Sequence, residues 1–187
     1  METPKLPKLS HKESLLFPSN MREAFINALG GLSGKRILDL GCGFVPYSRD
    51  FVWQNAHLVC VDINRESIDF CKAHGLEAHL VDIYHANFSN EYFDGVWANA
   101  SLNLLRRYKL PNVILDIKRT LKPQGVFFVS VLEGSWLECE SSRDYIACYL
   151  DEDFRAILDP SFIVLENLRF QIPNDDNIYL NYLCRKK

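Results

Sequence analysis

Between residues 36 and 132 the apolar residues come in short runs, each closed by an acid, an amide or a polar turn. Ile37, Leu38 and Leu40 lead into Gly41 and Gly43, "HLVCVD" ends on Asp62, "EAHLV" stops at Asp82, and Phe93 to Asn99 and "VFFVSVL" follow. Runs of this length, rich in β-branched and aromatic residues, predict five buried strands. The stretches between them carry helix signals instead. Pro46, at a first-turn position, opens a helix containing Phe51, Val52 and Trp53, and Asn64 caps a second that Gly75 ends. Pro111 stands near the start of a third, with Val113, Ile114, Ile117 and Leu121 on one face, and "LKPQG" terminates it before strand five. Strand and helix in alternation predict a parallel sheet with right-handed crossovers.

The two ends break this rhythm. Residues 1–18 carry Pro4, Pro7 and Pro18 among Lys5, Lys8, His11 and Lys12, which predicts an irregular arm, either disordered without ligand or folded over a pocket as a lid. Ser19 then reads as an N-cap, and Met21, Ala24, Phe25, Ala28 and Leu29 share one helical face before Gly30 stops the helix. After a polar loop from Glu133 to Arg143 and a short helix capped by Asp151, two strand-like runs, Phe162 to Phe170 and Ile178 to Cys184, are separated only by "QIPNDDN". That gap is too short for a helical crossover, so the pair must be antiparallel. The expected fold is α/β: a doubly wound, Rossmann-like, mostly parallel seven-stranded sheet with an antiparallel last strand and helices on both faces. It forms a single domain over 1–187, with an arm at 1–18, a helix at 19–30 and a core at 36–187.

Composition narrows the setting more than it changes the fold. With 187 residues, 48% of them hydrophobic, the chain suffices for one good core. A net charge of −3 gives no general pull toward nucleic acid or anionic membrane, so neither is an expected partner. The six cysteines, Cys42, Cys60, Cys71, Cys139, Cys148 and Cys184, form no CxxC pair and have no zinc-ligand spacing. They read as reduced, mostly buried thiols of a cytoplasmic protein, with no metal site expected. "METPKLPKLSHKES" lacks the apolar segment of a secretory signal, and no run approaches the ~20 apolar residues that span a bilayer.

Chemistry concentrates at the strand ends. In a doubly wound sheet the ligand sits beyond the carboxyl ends of the strands, where strand order reverses. Strand one delivers Asp39, Gly41 and Gly43 there, strand two Asp62, strand three Asp82 and strand four Asn99. The glycines let the backbone turn tightly and a ligand come close. An acid closing strand two, roughly 20 residues past the glycine turn, is placed to accept from ribose hydroxyls, and an acid closing strand three from an adenine amino group. Together they define a nucleoside.

These motifs resemble the class I S-adenosylmethionine-dependent methyltransferases, from about Arg36 to the C-terminus. "LDLGCG" resembles the family's first motif, "VDIN" its ribose motif, "VDI" at 81–83 its adenine motif, and "LKPQG" its link into strand five. "FDGVWANASL", "LKPQGVFFVSVLEG" and "SRDYIACYLDEDFRAIL" are most similar to small methyltransferases near the tellurite-resistance and type 11 groups. The resemblance implies S-adenosylmethionine as cofactor. Gly41 and Gly43, with Cys42 between them, would lie against its methionine part, and Asp39 would help hold that loop. Asp62 would bind the ribose diol with Ile63 on the adenine; Asp82 and Ile83 would meet the adenine edge and face; the backbone near Asn99 would hold the amino-acid end.

Two departures stand out. Val45, followed by Pro46, occupies the position of the family's third glycine, which hinders close approach and makes the loop bend differently. "NASL" replaces the Asn-Pro-Pro-aromatic motif of nucleobase and glutamine N-methylation, which argues against those acceptors. The implied function is methyl transfer to an unidentified small-molecule acceptor by in-line displacement, with recognition from the arm and from loops 84–92, 100–108 and 133–145. No catalytic side chain is assigned. His85 reads as a solvated loop residue before it reads as a base, and Trp136, Arg143 and Tyr145 as an ordinary loop near the substrate side. Cys139 and Cys148 have no defensible soft-metalloid spacing, and Arg106, Arg107 and Lys109 form a basic cluster typical of a solvated helix end. Two rivals remain: a nicotinamide-dependent oxidoreductase, whose GxGxxG fingerprint is broken by Pro46, and a non-catalytic binding module, motivated by Val45.

Overall fold

A computed structural model of the chain describes residues 18–45, 47–135, 139–141, 144–171 and 176–187. The proline-rich arm up to residue 17, Pro46, Trp136 and Arg143 therefore lie outside the described residues, as does most of the "QIPNDDN" link. Among the described residues no helix is long and apolar enough to cross a membrane.

The elements follow the hydrophobic pattern. Helix α1 (Ser19–Ala28) precedes β1 (Arg36–Leu40), α2 (Arg49–Trp53), β2 (His57–Asp62), α3 (Arg65–Ala73), β3 (Glu77–Leu80) and β4 (Phe93–Asn99). Then come α4 (Leu110–Thr120), β5 (Leu121–Glu133), the short strands β6 (Cys139–Ser141), β7 (Asp144–Ile146) and β8 (Cys148–Tyr149), α5 (Asp151–Leu158), β9 (Phe162–Gln171) and β10 (Ile178–Lys186). The sheet order is β3-β2-β1-β4-β5-β10-β9. Strands β1 to β5 are parallel, and β10 runs antiparallel to both β5 and β9. The expected seven strands thus form the path. The two-residue β8 adds an eighth by pairing Cys148 and Tyr149 with Leu132 and Glu133, while β6 and β7 make a separate hairpin.

Side-chain alternation along the strands feeds two cores. One face carries Leu38, Leu40, Val59, Val61, Val96 and Phe127 against Val113, Ile114 and Ile117 of α4 and Phe154 of α5. The other carries Ile37, Leu58, Cys60, Trp97 and Phe128 against Phe25 of α1, Phe51 of α2 and Ile68 of α3. At its centre Trp97 stacks on Phe128 with ring centroids 4.0 Å apart and meets Phe25 edge-on at 5.2 Å. Such ring pairs add about 1 kcal/mol each beyond the area they bury.

Several local expectations shift. Helix α1 starts on Ser19, with extended Pro18 in the cap position and its carbonyl accepting from the Met21 N–H at 3.0 Å. The helix expected from Pro46 begins only at Arg49, and Ser48, its cap residue, turns its hydroxyl to Asp39 instead of to the helix. Asn64 caps α3 as expected, its side chain accepting from Ser67 N–H at 3.2 Å. Asp151 is the first residue of α5 with Leu150 at the cap, and its carboxylate accepts from Arg155 at 2.8 Å and from the Tyr182 hydroxyl at 2.5 Å. "LKPQG" does not separate α4 from β5. Leu121 already pairs with Phe93, and a register shift brings Val126 opposite Gly95, so the whole segment belongs to β5.

Candidate functional site

The chain leaves β1, builds β2 and β3 on one side, then returns to place β4 on the other, so the order reverses between β1 and β4. Beyond the carboxyl ends there lies a cavity of about 360 Å³, lined by residues of the β1 turn, the ends of β2 and β3, and the segment after β4. A groove of about 390 Å³ between α1 and the β9–β10 pair takes in none of the strand-end acids.

The glycine turn is pinned from both sides. The N–H groups of Gly41 and Cys42 both donate to the Val61 carbonyl, at 2.9 and 3.0 Å. Gly41 has φ +74°, and a Cβ there would stand 2.3 Å from the Ser101 Cβ. Ser101 fills that space and donates its hydroxyl to the Leu40 carbonyl at 2.5 Å. Around Gly43, by contrast, a Cβ would meet nothing within 4 Å, so the backbone there is open.

Asp62 faces this open side. Its Oδ2 accepts from the Gly43 N–H at 2.9 Å and its Oδ1 from the Asn64 N–H at 2.8 Å. Each oxygen keeps acceptor capacity for a ligand hydroxyl. Ile63, 72% exposed, and half-buried Ile83 supply apolar wall. Asp82 also lines the cavity, yet it caps the single turn Ile83–His85: Oδ1 accepts from Tyr84 N–H at 3.0 Å and Oδ2 lies 3.2 Å from His85 Nδ1.

Three of the predicted residues stand behind the wall. Asp39 is 4% exposed and accepts the Ser48 hydroxyl, tying β1 to the far end of the loop that begins at Gly41. Burial pushes its carboxyl up to about 7, against the pull of that hydrogen bond and with help from Cys71 and Asp62 nearby. Cys42 is buried with its Sγ 3.9 Å from that of Cys71. Asn99 pairs with Ser130 and is not part of the lining; Ala100 and Ser101, one and two residues on, are. Val45, 1% exposed, packs into the α1–α3 side of the core in the left-handed conformation, φ +50°, that a glycine would adopt freely.

The remaining candidates resolve into surface and scaffold. The His85 side chain is 80% exposed and lies outside the cavity lining. Arg106, Arg107 and Lys109 rest over the rings of Tyr145, Tyr149 and Tyr84 at 4.3, 4.5 and 4.3 Å, so the basic cluster packs on tyrosines, with Arg106 still exposed. The Tyr145 hydroxyl accepts from Arg107 N–H at 3.1 Å, which makes Tyr145 part of that scaffold. Tyr84, Ser101, Leu104 and Leu105 line the cavity without having been singled out by sequence. Tyr84 links loops 84–92 and 100–108, its hydroxyl accepting from Arg106 N–H at 2.8 Å. Their signal was only their place in loops 84–92 and 100–108.

Residues 38–129 match a protein family described as "Methyltransferase domain". A ubiquinone biosynthesis O-methyltransferase of Xylella fastidiosa is 31% identical over 120 residues, covering 60% of this chain and 48% of the relative. The chain thus spans about half the length of the curated relatives it matches. Among solved structures, the Burkholderia thailandensis 1,6-didemethyltoxoflavin-N1-methyltransferase, with bound 1,6-didemethyltoxoflavin and S-adenosylhomocysteine, shares the fold at TM-score 0.73 and 18% identity, over 98% of this chain and 94% of that one. A Mesorhizobium loti S-adenosylmethionine-dependent methyltransferase does so at TM-score 0.73 and 15% identity, over 88% and 96%.

Proposed function

Because this chain belongs to the class I S-adenosylmethionine-dependent methyltransferases, within the type 11 group, we propose that it transfers a methyl group to a small-molecule acceptor at the cavity beyond β1, β2 and β4. The observation that carries the reading is Asp62. Its carboxylate is fixed by two backbone N–H groups and borders a cavity of about 360 Å³ whose wall also includes apolar Ile63 and Ile83. A diol above that carboxylate and a flat ring between those isoleucines are what an adenosine presents.

When bound, S-adenosylmethionine supplies an electrophilic methyl group on a sulfonium. The protein's part is to hold and aim. Asp62 accepts the ribose hydroxyls, Ile63 and Ile83 cover the adenine, and Asp82 offers the oxygen lone pairs that its cap leaves over to the adenine edge. The open backbone at Gly43 leaves room for the methionine part, with Gly41 and Ser101 holding the turn beneath. The backbone after Asn99, at Ala100 and Ser101, is the place for the amino-acid end. Tyr84, Leu104 and Leu105 give the acceptor side an apolar wall, which suits a small aromatic or apolar acceptor. Proximity and alignment supply the catalysis, and a base is needed only where the acceptor atom carries a proton.

Calorimetric titration tests this reading. S-adenosylhomocysteine is expected to bind at micromolar level and NAD to give no heat; heat from NAD alone would overturn it. Labelled methyl transfer from S-adenosylmethionine to a panel of small phenols and amines then identifies the acceptor.

A further inference from the structure

Cys42, Cys60 and Cys71 come from three elements: the turn after β1, the middle of β2, and α3. Their spacing in sequence suggests nothing, yet the three Sγ atoms lie within 4.8 Å of one another, all buried. The fold brings them together in steps. Cys60 pairs with Asp39 across β1 and β2, Cys42 follows three residues after Asp39, and the buried face of α3 lays Cys71 over both. Cys42 Sγ is 3.9 Å from Cys71 Sγ. The Gly43 carbonyl sits beside the cluster, 3.5 Å from Cys42 Sγ and 3.8 Å from Cys71 Sγ.

Three sulfurs around one metal ion at about 2.3 Å would be roughly 4 Å apart in a trigonal arrangement, close to the separation already present. The immediate donors are three thiols and one peptide oxygen, with apolar core residues around them and the Asp39 carboxyl nearby; sulfur predominates, which favours soft ions over hydrated hard ones. We propose that Cys42, Cys60 and Cys71 form a binding site for a soft, thiophilic d10 metal ion directly beneath the ligand-binding turn. Each sulfur that coordinates gives its proton to solvent and donates a lone pair to the ion, with no change of oxidation state.

The site reaches the cofactor cavity through the glycine turn, most directly through Gly43. Gly43 takes the thiol contacts on its carbonyl and holds Asp62 with its N–H. Coordinated sulfurs no longer donate to that carbonyl, so metal at the cluster reshapes the turn and weakens nucleoside binding, and nucleoside weakens metal binding by the same factor. This coupling rests on the cofactor reading above; the metal site itself does not.

Cadmium is the probe. Equilibrium dialysis of the whole chain is expected to give one Cd²⁺ bound per chain, with thiolate-to-metal absorption in the ultraviolet. That binding should be lost in Cys60→Ser and Cys71→Ser and kept in Cys148→Ser, whose thiol lies elsewhere in the fold. No binding, or loss in Cys148→Ser as well, would overturn the site. Should the buried variants fail to fold, ¹¹³Cd resonance on the wild type decides: a shift in the multi-thiolate range supports the site, and one in the oxygen and nitrogen range overturns it. With cadmium bound, S-adenosylhomocysteine affinity should fall several-fold in the wild type, and an unchanged affinity would overturn the coupling. If S-adenosylhomocysteine does not bind even without metal, the cofactor reading falls while the cadmium stoichiometry still judges the site.

Discussion

At the amino end of the sheet, Asp94 on β4 accepts the Arg36 N–H at 2.9 Å and the Lys122 ammonium at 2.8 Å, with Lys35 3.8 Å away. At the carboxyl end Asp39 accepts a serine hydroxyl and Asp62 two backbone N–H groups, and among the described residues neither makes an ion pair. Burial acts on Asp94 too, but the Arg36 N–H and the two lysines outweigh it and hold its carboxyl below the usual range. Burial wins at Asp39 and raises it to about 7. At Asp94 the fold supplies the counter-charge, and at buried Asp39 it supplies only a hydroxyl. Asp62, which lines the cavity without an ion pair among the described residues, keeps acceptor capacity for a partner.

The largest effect expected from this contrast is on the pH dependence of stability. Asp39 has a folded value above its unfolded one, so its contribution is complete below about pH 4 and is lost as pH rises to about 7. The shift corresponds to about 4 kcal/mol. Denaturant titrations of Asp39→Asn should therefore gain on the wild type between those values, and a parallel pH profile would break the contrast. Asp94 works in the opposite direction, its stabilisation being present above the unfolded value and lost as pH falls through the depressed folded one.

Gly41→Ala comes next. The new Cβ meets Ser101 in a conformation that already disfavours side chains, and a loss of about 3 kcal/mol is expected by thermal unfolding. Ser101→Gly should return part of it in the double variant, because it removes the steric half and leaves the φ half; strict additivity would show that the two residues do not share that space. Asp94→Ala should cost about 2 kcal/mol of stability through its charge-assisted hydrogen bonds, read as a shift of the denaturant midpoint at pH 7. The smallest effect belongs to Val45→Gly. It relieves left-handed strain but gives up a buried side chain, for a net loss of about 1 kcal/mol, with nucleoside affinity little changed because Val45 is no part of the cavity wall.

The strands and their closing acids were legible because each buried run had to end where polar groups could emerge, and Asp62 and Asn64 stand as expected on either side of Ile63. What escaped depends on contacts distant in sequence. Ser101 matters only because it meets a glycine 60 residues earlier, and Ser48 leaves its cap for a carboxylate nine residues back. The three thiols meet only once β2 pairs with β1 and α3 folds over them. At Val45 the missing glycine suggested hindered close approach and a loop that bends differently; Val45 is left-handed and its side chain turns into the core, a choice of direction that no spacing rule encodes.

The central claim is that the acid at the carboxyl end of β2 is there for a nucleoside and the acid at the amino end of β4 is there for the fold. S-adenosylhomocysteine titrated calorimetrically into Asp62→Ala and Asp94→Ala tests it in one experiment. Asp62→Ala should lose about 2 kcal/mol of affinity while Asp94→Ala, still folded at the working temperature, keeps wild-type affinity. Unchanged affinity in Asp62→Ala, or an equal loss in both, would contradict it.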